Sequence, residues 1–327
     1  MPDAPRTDVR PPDDAPSNDA AMVDALTAAA ERALAGVLEA WRARYGHVVA
    51  DVRVARQGDG TPVLEGTVLV PAQRDALVRS VGGQLAAAGL DPARLPSAVV
   101  ALTERAESEG WLRGVSTRPV PVRATATGDL SSELLPSDPP ARRLTQVGDH
   151  TVVELADRTV GWVATADVTV LAPQHAPASV TAWRAGWAGA AQAASPGAWA
   201  EAVRPWLGVP YVLGGRSMSG IDCSAFVQHV VKAATGLGLP RHSSDQARFG
   251  FRVALDDVAA GDVVHVTHLE RGTSHIVLVL GPTGAAATVA HACLDHGVVT
   301  VETLAAVLTR YAFRAARRFP PGYRGGA

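Results

Sequence analysis

The chain has 327 residues, room for two or three domains, and its 47% hydrophobic and 19% charged residues build cores rather than disorder. A formal charge of −2 offers no electrostatic handle for nucleic acid or an anionic membrane surface, and 7 Trp, 4 Tyr and 5 Phe leave few stacking platforms. Two cysteines, Cys223 and Cys293, are too few for a disulfide scaffold and fit a reducing compartment or a thiol with a chemical task.

Residues 1–20 are rich in Pro and Asp and read as a disordered tail. They lack the basic start and apolar stretch of a secretory signal, and no apolar run reaches the ~18 residues of a membrane helix. The expected location is therefore cytoplasmic, with no membrane partner. From 21 to 45, Met22, Leu26, Ala29, Leu34, Val37, Leu38 and Trp41 recur at helical spacing. Strands follow at 48–55 and 63–70, joined by the hairpin turn Gln57-Gly58-Asp59-Gly60. A second helix over 71–88 lines up Leu77, Val78, Val81 and Leu85, and a strand at 97–102 closes the unit. This α-β-β-α-β order over 21–112 resembles a BON-type domain, which implies a small non-catalytic α/β module.

Over 113–172 the pattern turns to short strands with frequent turns, including 120–123, 151–155 and 168–171. With Gly161-Trp162-Val163 near its end, the stretch resembles the bacterial SH3-like barrel. That resemblance implies a companion of wall-active hydrolases that walls off one side of their cleft. The Pro-rich 173–195 reads as a linker holding a connecting helix around Trp183 and Trp187, and 196–327 is the catalytic unit.

Chemistry concentrates at Ile221-Asp222-Cys223-Ser224-Ala225-Phe226. Phe226, Val227, Val230, Val231 and Ala234 describe a helix with one buried face, and the glycines upstream feed Cys223 into its first turn. The positive end of a helix dipole favours a thiolate there, so Cys223 is the expected nucleophile. A thiol needs a base, and an imidazole base needs a group to orient it. His275 opens a buried strand and His291 lies on the return strand after the turn Gly281-Pro282-Thr283-Gly284. Both are equally distant from Thr283, so a regular hairpin places them opposite each other with Cβ atoms ~5 Å apart. His265 and His268 read as surface or cleft-edge residues. His291, Cys293 and His296 do not have zinc-finger spacing, so no metal is expected, and a thiol with an imidazole needs no cofactor for acyl transfer.

The ordered set LGVPYVLGG, GIDCSAF, LPRHSSDQ, GDVV, SHIVLVLG and AHA, spread over 196–319, is similar to NlpC-type papain-like cysteine peptidases. The resemblance implies an α+β catalytic domain with the Cys-bearing helix packed on an antiparallel sheet. It implies cleavage of γ-D-glutamyl-diamino acid bonds in peptidoglycan-derived stem peptides such as murein tripeptide or tetrapeptide, through a thioester. Cys223 attacks, His275 is the base, His291 orients it, and Tyr211 supports the oxyanion hole together with the Cys223 N–H. Asp222, Ser224, Arg241 and Ser243 shape the pocket for the D-glutamyl end. Family members that demand a free N-terminal L-Ala take an acid and a tyrosine from the SH3-like domain. Here no tyrosine lies between Tyr45 and Tyr211, and Glu133 is the candidate acid. Ala225 stands where the family has Gly, and Val277, where the family has Gly, is expected to narrow the cleft or displace a substrate group. Soluble muropeptides fit a cytoplasmic enzyme. The alternatives are a thiol amidase or acyltransferase on another amide or lipid, and a non-catalytic wall-peptide binding protein.

Overall fold

The computed structural model describes residues 18–45, 50–102 and 110–324. Most of the expected disordered tail, residues 1–17, lies outside them. The chain divides into two compact units at about residue 101.

The first unit comprises α1 (Asn18–Tyr45), β1 (Ala50–Arg56), β2 (Pro62–Val68), α2 (Pro71–Ala87) and β3 (Ser97–Ala101). β1 and β2 pair antiparallel through the Gln57–Gly60 turn, and β3 adds parallel to β2. Leu26, Ala30, Leu34 and Val37 of α1 and Leu77, Val81 and Leu85 of α2 share one core with Leu64, Val68 and Val99 of the sheet. The helical periodicity of the apolar positions therefore has a packed counterpart. α1 starts at Asn18, inside the stretch expected to be tail. Pro71 pre-sets the first turn of α2, where Gln73 accepts the N–H groups of Leu69 and Val70.

The second unit begins with an antiparallel seven-stranded sheet of order β10-β4-β7-β8-β9-β5-β6. Its strands are β4 (Trp111–Gly114), β5 (Val120–Arg123), β6 (Leu130–Leu134), β7 (Ala141–Val147), β8 (His150–Glu154), β9 (Val160–Ala164) and β10 (Val168–Val170). β10 and β6 are its edges, so hydrogen bonds do not close it into a barrel. Leu112, Val120, Val122, Leu134, Val153 and Val163 fill its core, while Trp162 is half-buried. The stretch expected as linker folds into α3 (Val180–Ala188), capped by Ser179 and ended by Gly189 at φ 60°. Trp183 on α3 is buried edge-on against Trp111, with ring centroids 5.0 Å apart.

The rest of the unit runs α4 (Pro196–Val203), β11 (Arg216–Ser217), β12 (Gly220–Ile221), α5 (Cys223–Thr235), α6 (Ser243–Gln246), β13 (Phe251–Val253), β14 (Val263–His268), β15 (Ser274–Gly281), β16 (Thr288–Cys293), β17 (Val298–Thr303), α7 (Leu304–Leu308) and β18 (Tyr311–Arg318). The last six strands form one antiparallel sheet of order β13-β18-β14-β15-β16-β17. Ile276, Leu278, Ala290 and Ala292 on one face meet Phe226, Val227, Val230 and Val231 of α5. Burying a Val or Phe side chain in this way is worth ~1.5–3 kcal/mol each, which anchors the helix that carries the cysteine. On the other face Val264, Val266, Val277, Val279 and Val289 pack with Leu304 and Val307 of α7. Val277 is thus fully buried in a core. It does not line an open cleft, contrary to expectation, because strand alternation turns it into the α7 layer. No helix among the described residues is long and apolar enough to cross a membrane.

Candidate active site

Cys223 is the first residue of α5, directly after the N-cap Asp222, whose Oδ1 accepts the Ala225 N–H at 2.8 Å. In that first turn the N–H groups of Cys223 and Ser224 have no intrahelical partner and point outward from the helix start. The Cys223 thiol lies by the N–H of Ile276, the residue after the expected base. Burial, reinforced by the Asp222 charge, pushes the thiol up to about 12, against the opposing pull of the Ile276 and Ser224 N–H groups and of Arg241. The helix dipole does not yield a resting thiolate, because desolvation of a buried charge outweighs it.

His275 and His291 do not oppose each other across a regular hairpin. Leu278 pairs with Ala290 and Val279 with Val289, then a bulge shifts the register before Gly281 meets Thr288. The loop geometry displaces the pairing by two residues, so the histidines are diagonal neighbours on one face. Their rings nevertheless meet, with His275 Nε2 2.8 Å from His291 Nδ1 and ring centroids 5.0 Å apart. Tyr311 lies against the His275 ring at 5.0 Å. Burial and the neighbouring His291 push His275 down to about 3. Burial takes His291 down to about 4 despite the Glu302 carboxylate, which pulls the other way. Among the described residues no hydrogen bond joins the thiol to His275, and His275 Nδ1 is unengaged. Burial thus favours the neutral form of both the thiol and the imidazole.

A buried polar network holds the turn that carries Cys223. Arg241, 1% exposed, places Nη2 at 2.6 Å from Asp222 Oδ2 and Nη1 at 2.9 Å from both Asp222 Oδ1 and Ser224 Oγ. Gly214 donates its N–H to Asp222 Oδ2 at 3.0 Å. Burial alone would raise the Asp222 carboxyl, but the Arg241 guanidinium, its hydrogen bonds and the Ala225 N–H together hold it below the usual range. The seven-stranded sheet completes this network. Ser132 accepts from Arg241 Nε at 3.1 Å, and the Asp157 carbonyl accepts the Arg241 N–H at 3.1 Å. Glu133 Oε2 accepts the Arg216 N–H at 2.6 Å, and Asp138 pairs with the Arg216 guanidinium at 2.7 Å.

Tyr211 bridges Ile221 and donates its N–H to Gly297, which lays it alongside the start of α5. Burial and the nearby Cys223 and Asp222 raise its phenol, so it stays a protonated donor. The Tyr211 hydroxyl has no protein hydrogen bond among the described residues. Ser243, at the start of α6, reaches Ser274 Oγ at 3.3 Å, beside the base.

Residues 208–317 match the NlpC/P60 family. The C-terminal part of this chain carries an NlpC/P60 domain. A probable endopeptidase of Haemophilus influenzae is 44% identical over 64 residues, which are 20% of this chain and 40% of that protein. A gamma-D-glutamyl-L-lysine dipeptidyl-peptidase of Bacillus subtilis is 44% identical over 73 residues, 22% of this chain and 24% of that protein. The chain thus spans less than half the length of these curated relatives. A solved NlpC/P60 family protein from Bacillus cereus shares 20% identity over 66% of this chain and 65% of its own, at a TM-score of 0.33, too low to carry any argument.

Within the NlpC/P60 domain the expected residues form two groups. Asp222, Ser224 and Arg241 hydrogen-bond one another around Cys223, while His275 and His291 form a couple at the start of β15. Glu133 is engaged with Arg216 rather than with any of these. His265 and His268, expected at the surface or the cleft edge, are buried at 4% and 6% exposure, because β14 is central in the sheet. Sequence reasoning missed Glu302 and Arg310. Glu302 Oε1 is 2.8 Å from His291 Nε2 and 2.5 Å from Arg310 Nη2. Pairing β16 with β17 through the turn at 294–297 puts Thr300 opposite His291 and Glu302 two residues on, so alternation was the available signal. His291, Cys293 and Glu302 bring donor atoms within 4.8 Å of one another, a set of metal-ligand types, but the Glu302 carboxylate is already partnered by Arg310.

Proposed function

We propose that the chain is a cysteine peptidase that hydrolyses the γ-D-glutamyl-diamino acid bond of peptidoglycan stem peptides. The observation that carries this reading is the buried thiol at the α5 N-terminus, met by the N–H of Ile276, the residue after His275, together with the His275–His291 couple. The Bacillus subtilis relative's name supplies the bond type as a hypothesis for this chain. Cys223 Sγ attacks the scissile carbonyl carbon as its proton passes to His275. The oxyanion receives the Cys223 N–H, at the helix start, and the Tyr211 hydroxyl. His275 returns the proton to the leaving amine, and water, deprotonated by the same imidazole, cleaves the thioester.

The pocket follows from the same network. Arg241 and Asp222 stiffen the turn that presents Cys223, and Ser243 and Ser274 offer hydroxyls at its rim for the D-glutamyl end. We read the seven-stranded sheet as an SH3-like companion whose Ser132 and Asp157 brace Arg241. The N-terminal unit is read as BON-like.

The test offers L-Ala-γ-D-Glu-meso-diaminopimelate, its N-acetylated form and intact sacculi to the full chain, with Cys223→Ala as control and mass spectrometry as readout. Cleavage between D-Glu and the diamino acid, abolished in the variant, is the expected result. Intact substrates with a thiol that still alkylates would overturn the bond assignment and move it to another amide or lipid.

A further inference from the structure

The hydrogen bonds behind the base determine where its protons sit. Glu302 Oε1 lies 2.8 Å from His291 Nε2 and is paired with the Arg310 guanidinium. A carboxylate in that pairing only accepts, so His291 carries its proton on Nε2 and donates it to Glu302. Neutral His291 then presents a lone pair on Nδ1. His275 Nε2, 2.8 Å away, must donate into that lone pair. One ring nitrogen of His275 is left without a proton. It is Nδ1, which has no hydrogen bond among the described residues.

We propose that Glu302 is a positioning residue that fixes His291, and through it His275, in the tautomer that leaves His275 Nδ1 free to take the Cys223 proton. The proposal rests on the thiol–imidazole chemistry read above. Without an obligate acceptor behind His291, the ladder can run the other way. His291 Nδ1 would then donate to His275 Nε2, and His275 would offer an N–H to the thiol instead of a lone pair. When the thiol proton does arrive at Nδ1, the imidazolium gains the carboxylate's charge through His291. Arg310 orients Glu302, and its charge opposes that gain. His296 stands 3.5 Å from the same Oε1, and Asp295 also faces this corner.

The decisive measurement is long-range 1H–15N correlation on the 15N-histidine-labelled full chain at neutral pH. Wild type is expected to show His275 and His291 both as Nε2–H tautomers. Glu302→Gln keeps an Oε1 that both His291 and Arg310 can use, so it should keep the tautomer. Glu302→Leu removes the acceptor and should give His275 in mixed tautomers. Alkylation of Cys223 by iodoacetamide, mapped by mass spectrometry so that Cys293 is counted separately, should slow about 10-fold or more in Glu302→Leu and stay within about 3-fold in Glu302→Gln. The acidic limb of the alkylation profile should move to lower pH in both, because the Glu302 charge holds His291 up; a merely structural role would not move it.

A wild-type His275 protonated on Nδ1 would overturn the proposal, as would Glu302→Leu alkylating at the wild-type rate with an unmoved profile. If Glu302→Leu does not fold, the Glu302→Gln tautomer and acidic limb decide by the same criteria. Failure of the wild type to cleave stem peptides would refute the substrate and leave these tautomer and alkylation readouts standing.

Discussion

Replacing Arg241 by Met keeps most of the side chain's volume and removes its charge, leaving Asp222 as a buried carboxylate with its counterion gone. The guanidinium makes three of its hydrogen bonds to Asp222 and Ser224 at 2.6–2.9 Å and one to Ser132 at 3.1 Å. Breaking a buried pair by deleting one partner costs about 3–5 kcal/mol, because the survivor keeps its desolvation penalty. For a unit of this size that corresponds to a fall in melting temperature of about 6–20 °C. The loss should depend on pH. Asp222 titrates below its usual value in the wild type, so it contributes stability above the unfolded carboxylate pKa and loses it as pH falls through the folded value. Without Arg241, burial raises the Asp222 carboxyl instead, so the loss is largest at neutral pH and shrinks as acid protonates Asp222; Arg241→Met should differ least from wild type in acid. Thermal and urea melts followed by circular dichroism at pH 7 and pH 3.5 measure both quantities. A double-mutant cycle with Asp222→Asn should return a coupling of about 2 kcal/mol or more. A loss below about 1 kcal/mol at pH 7 would refute the argument that this pair is what holds the turn carrying Cys223.

Two further predictions concern the same unit. Gly214 has φ 82°, and a Cβ there would sit 2.4 Å from the Leu130 carbonyl oxygen, so Gly214→Ala should cost about 2–4 kcal/mol in a denaturant melt; a change within about 0.5 kcal/mol would show that the loop shifts freely. His265 is pushed down to about 3 by burial, with Arg317 adding to the effect, and its Nε2 has no partner. It stays neutral folded and protonates unfolded, so stability is lost as pH falls from about 6.5 towards 3; His265→Leu should gain on wild type by about 2 kcal/mol between pH 7 and pH 5, and parallel stability curves would contradict the assignment.

Much of this protein was legible along the chain because the relevant physics is local. Helical spacing of Leu77, Val81 and Leu85, the Gln57–Gly60 turn and the glycines before Cys223 each act over a few residues, and the corresponding elements formed where expected. The place of Cys223 at the start of α5 was readable for the same reason, since a helix start is a property of its own sequence. The two histidines were readable as a couple but not in their pairing. The turn and the bulge near Gly281 leave the strands paired two residues away from the symmetric register, and only the folded strand reveals that.

Everything behind and beneath the couple belongs to tertiary structure. Glu302 and Arg310 reach His291 through β17 and β18, and Ser132 and Asp157 reach Arg241 across more than 80 residues of chain. Alternation along the β16–β17 hairpin hints at Glu302, but spacing carries no trace of the long-range contacts, because they arise where separately formed sheets and helices bury polar groups that must then find partners. The same cause decided the charge states. A thiol at a helix start reads as activated in one dimension, but desolvation by the packed sheet favours its neutral form.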